Sequence, residues 1–449
     1  MHAAKRLAWQ KFHRQSQRNH ELKLSYAQQL DLAKLELRKQ FETLAEADKL
    51  FCSLFKLRRD SQPLGVGSFG MVLLAEAVDD VTAGCLARAQ AAAAAAATPS
   101  LPSSISWPSW RLEPPASAAL DDADEIAPPA SGSASRRLAL TRGQPVAVKF
   151  EFNIDRRKRK YQLAGEFRLL TELFNCYGAG LEGFPEPFLF GSLQTGDSFT
   201  DGGAAYRCHH YLAMELLGEN LRARFQDLPP PPRSGHSDGS PATFPLSFVF
   251  DVARQLLTRL MLLHAEPICV THNDLKLDQL MLGRGDKSHI VYLVDFGLAL
   301  KYRSKTRSRW GNRRYASRFS HQGVNSPLTD LESAAYIVAR FLRNSFPWDG
   351  MQGSDSDSRR RGMARLKTRL WSFVEHVRRG RCLQPRQGSP DWPRLFFADR
   401  TDAQGRGGPQ LLKYMSRLIE YTRSQLTAAE SIDYNYLFNC FVLPHGAED

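Results

Sequence analysis

A short stretch near the middle of the chain combines a carboxylate and a cation at a spacing that suits group transfer. It runs from Thr271 to Gln279 and reads Thr-His-Asn-Asp-Leu-Lys-Leu-Asp-Gln. In a loop, Asp274 can accept the proton of a hydroxyl group and orient its oxygen for attack. Lys276, two residues later, can neutralise negative charge on a phosphoryl group in transit. Together these two side chains predict phosphoryl transfer.

A second carboxylate follows a short apolar run. The residues Ile290–Val294 have the composition of a buried strand, and Asp295-Phe-Gly comes directly after them. A carboxylate at the end of such a strand can hold Mg²⁺ for a phosphate substrate. Because Asp-Phe-Gly alone is common by chance, this motif gains weight only in combination with others.

Nearer the N-terminus lies a glycine-rich motif of the form G-x-G-x-x-G. It comprises Gly65, Val66, Gly67, Ser68, Phe69 and Gly70. Such a motif can also bind a dinucleotide, but then it must open a helix, whereas Met71–Ala75 reads as a strand. A glycine-rich turn between two strands brings backbone N–H groups close to phosphates, because no Cβ intervenes. The motif is therefore a candidate phosphate-binding turn.

A lysine occupies the next predicted strand, Pro145–Phe150. On a strand a lysine usually points to solvent, but after a glycine-rich turn Lys149 can reach the α- and β-phosphates of a nucleotide. It then needs a carboxylate to orient it. Glu166, in a stretch with helical apolar spacing, is the candidate, and Glu172 is the alternative.

Along the chain, the order is the glycine-rich motif, the strand lysine, the loop with Asp274 and Lys276, and Asp-Phe-Gly. These four motifs in that order resemble those of the eukaryotic protein kinases, and more closely those of the casein kinase I family. The resemblance extends over roughly Leu57 to Pro444 and includes six further stretches: Met214–Gly218, Asp295–Arg303, Arg314–Ser317, Asp330–Ser333, Phe346–Gly350 and Ile432–Leu437. It implies an α+β fold with two lobes, a small β-rich N-lobe and a larger helical C-lobe, with ATP bound between them.

The resemblance also implies roles for individual residues. The implied catalytic set is Asp274, Lys276, Lys149 and Glu166, and the implied ATP-binding set is Leu64, the glycine-rich motif, Val72, Ala147, Lys149, Glu215, Leu217 and Met281. Asp295 and Gln279 would bind Mg²⁺ or Mn²⁺, and Arg314 would bind an anionic group of the substrate. The implied activity is that of a Ser/Thr protein kinase that transfers the γ-phosphate of ATP to acidic or phospho-primed proteins.

Three positions depart from the family pattern. Asn273 stands where the family has an arginine that commonly couples this loop to a phosphorylated segment, which suggests activity without that control. Gln279 replaces an asparagine and is one methylene longer, and Asn312 replaces a Gly-Thr pair whose hydroxyl would lie near the catalytic carboxylate. A displacement on the order of 1 Å can cost roughly 100-fold in rate. The alternative is therefore a pseudokinase that binds nucleotide and acts as a scaffold.

The net charge of +13 predicts anionic partners. The excess is concentrated, because residues 296–329 hold eight Lys and Arg and no acid, and residues 359–386 hold ten against one. No nucleic-acid-binding module is recognisable, which disfavours nucleic acid as the main partner. Since 296–329 includes Arg314, the charge predicts acidic or phosphorylated protein substrates, unless it only solvates a surface loop.

Outside the motifs, the chain divides into an extension and one interrupted domain. Residues 1–57 are a basic N-terminal extension, and 21–58 have the apolar spacing of a helix that packs on its own domain or contacts a partner protein. The kinase-like domain then covers 58–445, with insertions at about 79–143, 226–243 and 384–408. The insertions are predicted to be surface loops, the first partly helical through its alanine run.

The remaining composition predicts a compartment. The seven cysteines form no C-x-x-C pair, which indicates reduced thiols in an intracellular protein of the cytoplasm or nucleus. The first twenty residues lack the apolar core of a secretory signal. No apolar run reaches about 18 residues, so no membrane span is expected.

Overall fold

The chain divides into two compact units in the computed structural model. The first comprises Met1–Arg159 and Phe188–Met214, and the second comprises Lys160–Pro187 and Glu215–Asp449. The fold is mixed α/β and contains a curled antiparallel sheet. The residues that the structure describes are 54–58, 64–66, 70–96, 138–153, 162–178, 180–192, 207–227, 244–302, 311–321, 324–343, 345–349, 351, 356–381, 397, 408–423 and 432–442.

Most strands of the first half of the chain belong to one six-stranded sheet. The strands are β1 (Phe55–Leu57), β2 (Gly65–Val66), β3 (Gly70–Ala77), β4 (Val81–Thr82), β5 (Leu138–Leu140), β6 (Pro145–Asn153), β7 (Pro187–Ser192) and β8 (Arg207–Glu215). The sheet has the order β1-β3-β6-β8-β7, with β2 paired to β3, and β4 and β5 form a separate pair. The alternation of side chains along β3 and β6 gives the sheet two different faces.

One face of the sheet is a hydrophobic core. Met71 lies opposite Phe150 and Ala75 lies opposite Val146, and all four are buried. The same cluster includes Phe55, Leu140, Phe188, Tyr211 and Ala213. Because successive residues of a strand point to opposite faces, Leu73 and Val148 share this core face, and the alternate residues Val72, Leu74, Ala147 and Lys149 belong to the other face.

The first predicted insertion contributes to this core. Helix α1 (Ala83–Ala96) follows β4 directly, and alanine has the highest helix propensity. Ala89 is buried in the core cluster, and the Gln90 side chain forms hydrogen bonds of 3.1 and 2.8 Å with the backbone of Phe190. The helix predicted from the alanine run is confirmed, but it is a packed element and not part of a surface loop.

The helix predicted over 21–58 is wrong at its C-terminal end. Phe55–Leu57 is a strand, in which Phe55 lies opposite Ala77 and Leu57 lies opposite Ala75. Phe55 and Leu57 are buried while Lys56 between them is exposed, so the period of two expected of a strand overrides the helical spacing. The rest of this prediction, and of the N-terminal extension, lies outside the described residues.

The second unit is mainly helical. Its helices are α2 (Gln162–Tyr177), α3 (Leu221–Gln226), α4 (Leu246–His264), α5 (Arg318–His321), α6 (Pro327–Arg343), α7 (Ser356–Arg378), α8 (Gly408–Arg423) and α9 (Tyr434–Asn439). Helix α6 packs against α4 and α8, and α9 packs against α4. The helices predicted from apolar spacing at 246–265 and 331–342 are confirmed, and the one predicted at 410–426 is confirmed as far as Arg423, since 424–426 lie outside the described residues. Most of the insertions at 226–243 and 384–408 lies outside the described residues.

Four short strands in the second unit position two loops. They are β9 (Val270–Thr271), β10 (Leu280–Leu282), β11 (Val291–Leu293) and β12 (Leu300–Lys301). β9 pairs with β12 and β10 pairs with β11, both antiparallel. The loop from β9 to β10 and the loop from β11 to β12 therefore begin and end on paired strands. Across the described ranges, no helix combines the length and the apolar character that a membrane span requires.

Candidate active site

The two loops between the paired strands carry Asp274 and Asp295. Both are strained, because Asn273 and Asp295 each have φ of 67°, in the left-handed region that asparagine and aspartate tolerate better than most residues. Among the described residues other than glycine, Cys269 alone shares a positive φ with them. Such strain costs on the order of 1–3 kcal/mol and clusters at functional sites.

Both carboxylate oxygens of Asp274 accept hydrogen bonds. Lys276 Nζ donates to Oδ2 over 2.6 Å, and the backbone N–H of Asn312 donates to Oδ1 over 2.6 Å. Gln279 Nε2 lies 3.4 Å from the same Oδ2. A carboxylate offers about four lone-pair positions, so this set orients Asp274 and leaves room for one further donor, such as a hydroxyl group.

Gln279 connects the two carboxylates. Its Nε2 also donates to Oδ2 of Asp295 over 2.7 Å, and its side chain is buried. The predicted metal ligands, Gln279 and Asp295, are thus brought together, within reach of Asp274. A carboxylate and an amide oxygen suit Mg²⁺, which typically takes one or two protein carboxylates and completes its shell with substrate phosphates and water. The donor set fits this ion, although the described residues contain no cluster of three or more His, Cys, Asp and Glu side chains arranged to hold a metal.

A buried carboxylate behind the loop holds its backbone. Asp330 Oδ2 accepts from the N–H of His272 over 2.7 Å, and Oδ1 accepts from the N–H of Asn273 over 3.1 Å. His264 Nε2 lies 3.1 Å from Oδ2 of Asp330. Asp330, His264 and His272 are almost inaccessible to solvent, so the hydrogen bonds among them are costly to break, whereas Asn273 is partly exposed.

The side chain of Asn273, the first departure from the family pattern, forms hydrogen bonds to other residues of the site. Its Nδ2 donates to the carbonyl oxygen of Leu298 over 3.2 Å and to Oγ1 of Thr271 over 3.0 Å. The amide therefore ties the loop that carries Asp274 to the turn that follows Asp295. This contact involves no charged partner.

Asn312, which stands where the family has a Gly-Thr pair, contacts Asp274 through its backbone N–H and not through its side chain. Its Oδ1 instead accepts a hydrogen bond of 2.9 Å from the N–H of Arg314. The preceding residue, Gly311, has φ of 100°, and a Cβ there would collide with the carbonyl oxygen of Asn273. Sequence reasoning missed Gly311, whose requirement for glycine depends on this close approach of two chain segments.

Arg314 lies at a pocket of about 420 Å³. The pocket is lined by Arg313, Arg314, Trp348, Asp349, Met351, Arg359 and Met363. Its three arginines give it a positive charge, but Asp349 forms an ion pair with Arg314 and lies 3.6 Å from Arg340. Arg314 Nε is buried and has no hydrogen-bond partner in the described part of the chain. The arginine predicted to bind a substrate anion is therefore already partly neutralised by a carboxylate of its own chain.

Lys367 is a buried residue that holds the backbone of the segment from Arg313 to Ala316. Sequence reasoning did not single it out. Its Nζ donates to the carbonyl oxygens of Arg313 and Ala316 over 2.9 and 2.6 Å. It also lies over the rings of Tyr336 and Trp348, at 4.8 and 5.1 Å. Burial lowers the pKa of Lys367 to about 7. Its position relative to the buried Leu370, Trp371 and Val374 in α7 was the available signal, because i, i+3, i+4 and i+7 share one helix face.

The predicted adenine-contacting residues of the second unit fall into two groups. Leu217 and Met281 belong to one apolar cluster with Ile290 and Tyr292. The carboxylate of Glu215 instead accepts hydrogen bonds from Lys287 Nζ over 3.2 Å and Tyr292 Oη over 3.1 Å. Burial, together with this carboxylate, raises the pKa of Tyr292 to about 12. The Glu215 side chain thus binds other residues of the protein, and its backbone N–H donates to the carbonyl oxygen of Glu186 over 2.9 Å, so only its carbonyl oxygen is left for the predicted role.

The predicted nucleotide residues of the first unit share one sheet face. Val72 lies opposite Gly65 on one side and opposite Lys149 on the other, and Ala147 is two residues before Lys149 on the same strand. By alternation, these residues occupy the face opposite the hydrophobic core. Val66 and Gly70 lie at the paired ends of β2 and β3, and Leu64, which precedes β2, is half exposed. Gly67, Ser68 and Phe69 lie outside the described residues.

Glu166, the predicted partner of Lys149, lies in α2 of the second unit. It is 2% exposed, whereas the alternative, Glu172, is partly exposed. Helix α2 packs against the turn Phe296–Leu298 that follows Asp295. A buried carboxylate requires a compensating partner, which favours Glu166 over Glu172 for the predicted role.

In a comparison with models of known protein families, the chain matches none.

Proposed function

We propose that this chain is a Ser/Thr protein kinase of the casein kinase I type, which transfers the γ-phosphoryl group of ATP to hydroxyl groups of acidic or phosphorylated proteins. The observation that carries the proposal is the set of contacts at Asp274. Its two oxygens are held by Lys276 and the Asn312 backbone at 2.6 Å each, and Gln279 links it to Asp295. This is a carboxylate base, a neighbouring cation and a metal-ligand pair in one place.

The proposed fold is the two-lobed α+β kinase fold. In it, the first unit corresponds to the N-lobe and the second to the C-lobe. Two facts support this assignment: the six-stranded sheet lies in the first unit, and the long helices lie in the second. The glycine-rich strand pair and Lys149 on one sheet face are the parts that the proposal assigns to the phosphates of ATP.

Asp274 performs the acid–base part of the proposed reaction. The substrate hydroxyl donates its hydrogen bond to a free lone pair of Asp274, and its proton ends on that carboxylate as its oxygen forms the new bond to phosphorus. The bond from phosphorus to the β,γ-bridging oxygen breaks, and ADP leaves. Lys276 Nζ carries three N–H donors and uses one of them in the hydrogen bond to Asp274, so two remain for the oxygens of the transferred group.

Asp295 and Gln279 would hold Mg²⁺ through their side-chain oxygens. When bound, the ion would neutralise part of the negative charge of the phosphates. For this role the amide of Gln279 turns its oxygen towards the ion, while its present orientation donates N–H to Asp295.

A nucleotide-binding scaffold without transferase activity is the second candidate function. The orientation of Gln279 favours it, because the N–H that binds Asp295 at 2.7 Å takes a lone pair that a metal would use. On this alternative, ATP binds and stabilises the chain but its γ-phosphoryl group is not transferred.

A transfer assay with matched variants distinguishes the two functions. The full chain is incubated with Mg·ATP or Mn·ATP and an acidic, casein-like peptide, beside Asp274→Asn and the control Asp278→Asn. Asp278 lies in the same loop, but its carboxylate is partly exposed and pairs with Arg222 at 3.1 Å. We expect Asp274→Asn to lower the rate by at least about 100-fold and Asp278→Asn to leave it nearly unchanged. If no metal supports transfer while ATP raises the melting temperature, the scaffold is the function.

A further inference from the structure

Tyr434, the first residue of helix α9, contacts His264, which in turn contacts Asp330, the carboxylate that holds the backbone of the loop that carries Asp274. Its hydroxyl lies 2.5 Å from Nδ1 of His264, although the two residues are 170 positions apart in sequence. His264 is fully buried and Tyr434 is 7% exposed. Helix α9 packs against α4, which ends at His264, so the contact joins two packed elements.

The direction of this hydrogen bond follows from the surroundings. Burial, reinforced by the charge of Asp330, raises the pKa of Tyr434 well above its usual value, so its hydroxyl keeps its proton and can donate it. His264 then accepts at Nδ1 and carries its own proton at Nε2, which faces Oδ2 of Asp330 at 3.1 Å. The opposite tautomer would set the Nε2 lone pair against a carboxylate. The Tyr434 hydroxyl therefore selects the tautomer in which His264 donates to Asp330.

Asp330, oriented by His264, fixes the position of the loop backbone. Its other two hydrogen bonds come from the backbone N–H groups of His272 and Asn273, the two residues directly before Asp274. We propose that Tyr434 is a positioning residue for Asp274, which acts through His264 and Asp330 on the backbone of the loop. The catalytic consequence rests on the proposed kinase activity, whereas the effect on the backbone does not.

The test compares Tyr434→Phe with two matched controls in the full chain. Tyr414→Phe removes a buried hydroxyl that donates to the carbonyl oxygen of Leu331 over 2.9 Å and does not touch His264, so it controls for lost stability. Tyr436→Phe makes the same change on the same helix, and its ring keeps its contacts with Lys413 and Arg417. All three variants keep an aromatic ring in place, so each is expected to fold.

Hydrogen exchange at His272 and Asn273 is the readout that does not depend on activity. We expect both amides to exchange about 10-fold faster in Tyr434→Phe than in either control, because their acceptor loses its orienting donor. We also expect a kcat about 10-fold lower, with an unchanged KM for ATP, in Tyr434→Phe alone. In a His264→Gln background, where the amide can donate to Asp330 unaided, Tyr434→Phe is expected to have little further effect.

Two results would overturn the positioning role. One is exchange at His272 and Asn273 that is no faster than in Tyr414→Phe. The other is faster exchange with kcat unchanged in a chain that transfers phosphate. If the wild-type chain transfers no phosphate, the proposed function fails independently of the positioning role. The comparison of hydrogen exchange at His272 and Asn273 then decides by itself whether Tyr434 positions the loop backbone.

Discussion

Gln279 donates a hydrogen bond from Nε2 to Oδ2 of Asp295 over 2.7 Å. The same nitrogen lies 3.4 Å from Oδ2 of Asp274, so one amide spans the two carboxylates of the candidate site. An asparagine is shorter by one methylene, and its amide would fall short of at least one of them. The longer side chain therefore suits the spacing of these two carboxylates in this protein.

Gln279→Asn should lower transfer activity. The shortened amide no longer reaches both Asp274 and Asp295, and a misplacement on the order of 1 Å can cost roughly 100-fold in rate. We expect kcat to fall between about 10- and 100-fold, with a higher Mg²⁺ concentration at half-maximal rate, both measured by peptide phosphorylation. A rate above wild type would instead show that glutamine is a handicap and would favour the scaffold.

Gly311→Ala should damage both stability and activity. Its φ of 100° strains any other residue, and the added Cβ would collide with the carbonyl oxygen of Asn273. We expect a loss of unfolding free energy above the roughly 1–2 kcal/mol of left-handed strain alone, measured by urea denaturation. Gly285→Ala is the control, because Gly285 also has positive φ (57°) but open space around its Cβ position. Equal losses in the two variants would argue against the collision.

Lys367→Met should change how stability depends on pH. Burial lowers the pKa of Lys367 from its usual 10.5 to about 7, against the opposing effect of Glu332. Between these values the unfolded chain binds this proton and the native chain does not, so the free energy of unfolding rises with pH. The contribution to the slope is at most about 1.4 kcal/mol per pH unit, and it vanishes below both values.

Urea denaturation of wild type and Lys367→Met at pH 6, 7, 8 and 9 measures this contribution, on the order of 1 kcal/mol for each step above pH 7. The variant also loses the hydrogen bonds to Arg313 and Ala316, which lowers its stability at every pH and does not affect the slope. Parallel curves for the two proteins would show that Lys367 keeps its proton in the native state throughout this range.

Arg314 and Asp349 should have opposite effects on acidic substrates. Arg314→Ala removes a cation from the pocket and should raise KM for an acidic peptide roughly 5-fold more than for a neutral one. Asp349→Asn releases Arg314 from its internal partner and should lower KM for the acidic peptide. Arg379→Ala removes an equal charge from the surface, where Arg379 pairs with Glu375, and controls for net charge. Shifts of the same size for both peptides would mean that the pocket does not select anions.

The parts of the site that sequence reasoning found are those whose chemistry is carried by short motifs. Asp274, Lys276 and Gln279 are within five residues of one another, and Asp295 follows a recognisable apolar strand, so local patterns sufficed to group them. The apolar runs Met71–Ala75 and Pro145–Phe150 likewise placed Val72, Ala147 and Lys149 on predicted strands, which the structure confirms. The kinase activity that these residues suggest remains a proposal.

The residues that sequence reasoning missed depend on contacts between distant segments. Gly311 is needed because it approaches Asn273, Asp349 matters because it meets Arg314, and Tyr434 matters because it meets His264. No local pattern reports such pairs. The helix predicted over 21–58 failed at Phe55 for a related reason, since pairing with β3 outweighs the local apolar spacing.

The pairing of β4 with β5 has a consequence for how this gene can vary. Thr82 and Leu138 are partners across that pair, so the two ends of the segment that connects them lie side by side. The entropic cost of closing a flexible segment between two such fixed ends grows by only about 0.6 kcal/mol for each doubling of its length. Helix α1 must stay, because Ala89 belongs to the core. Between Ala96 and Leu138, closure entropy alone therefore places only a weak limit on the number of residues that evolution or an engineer can insert.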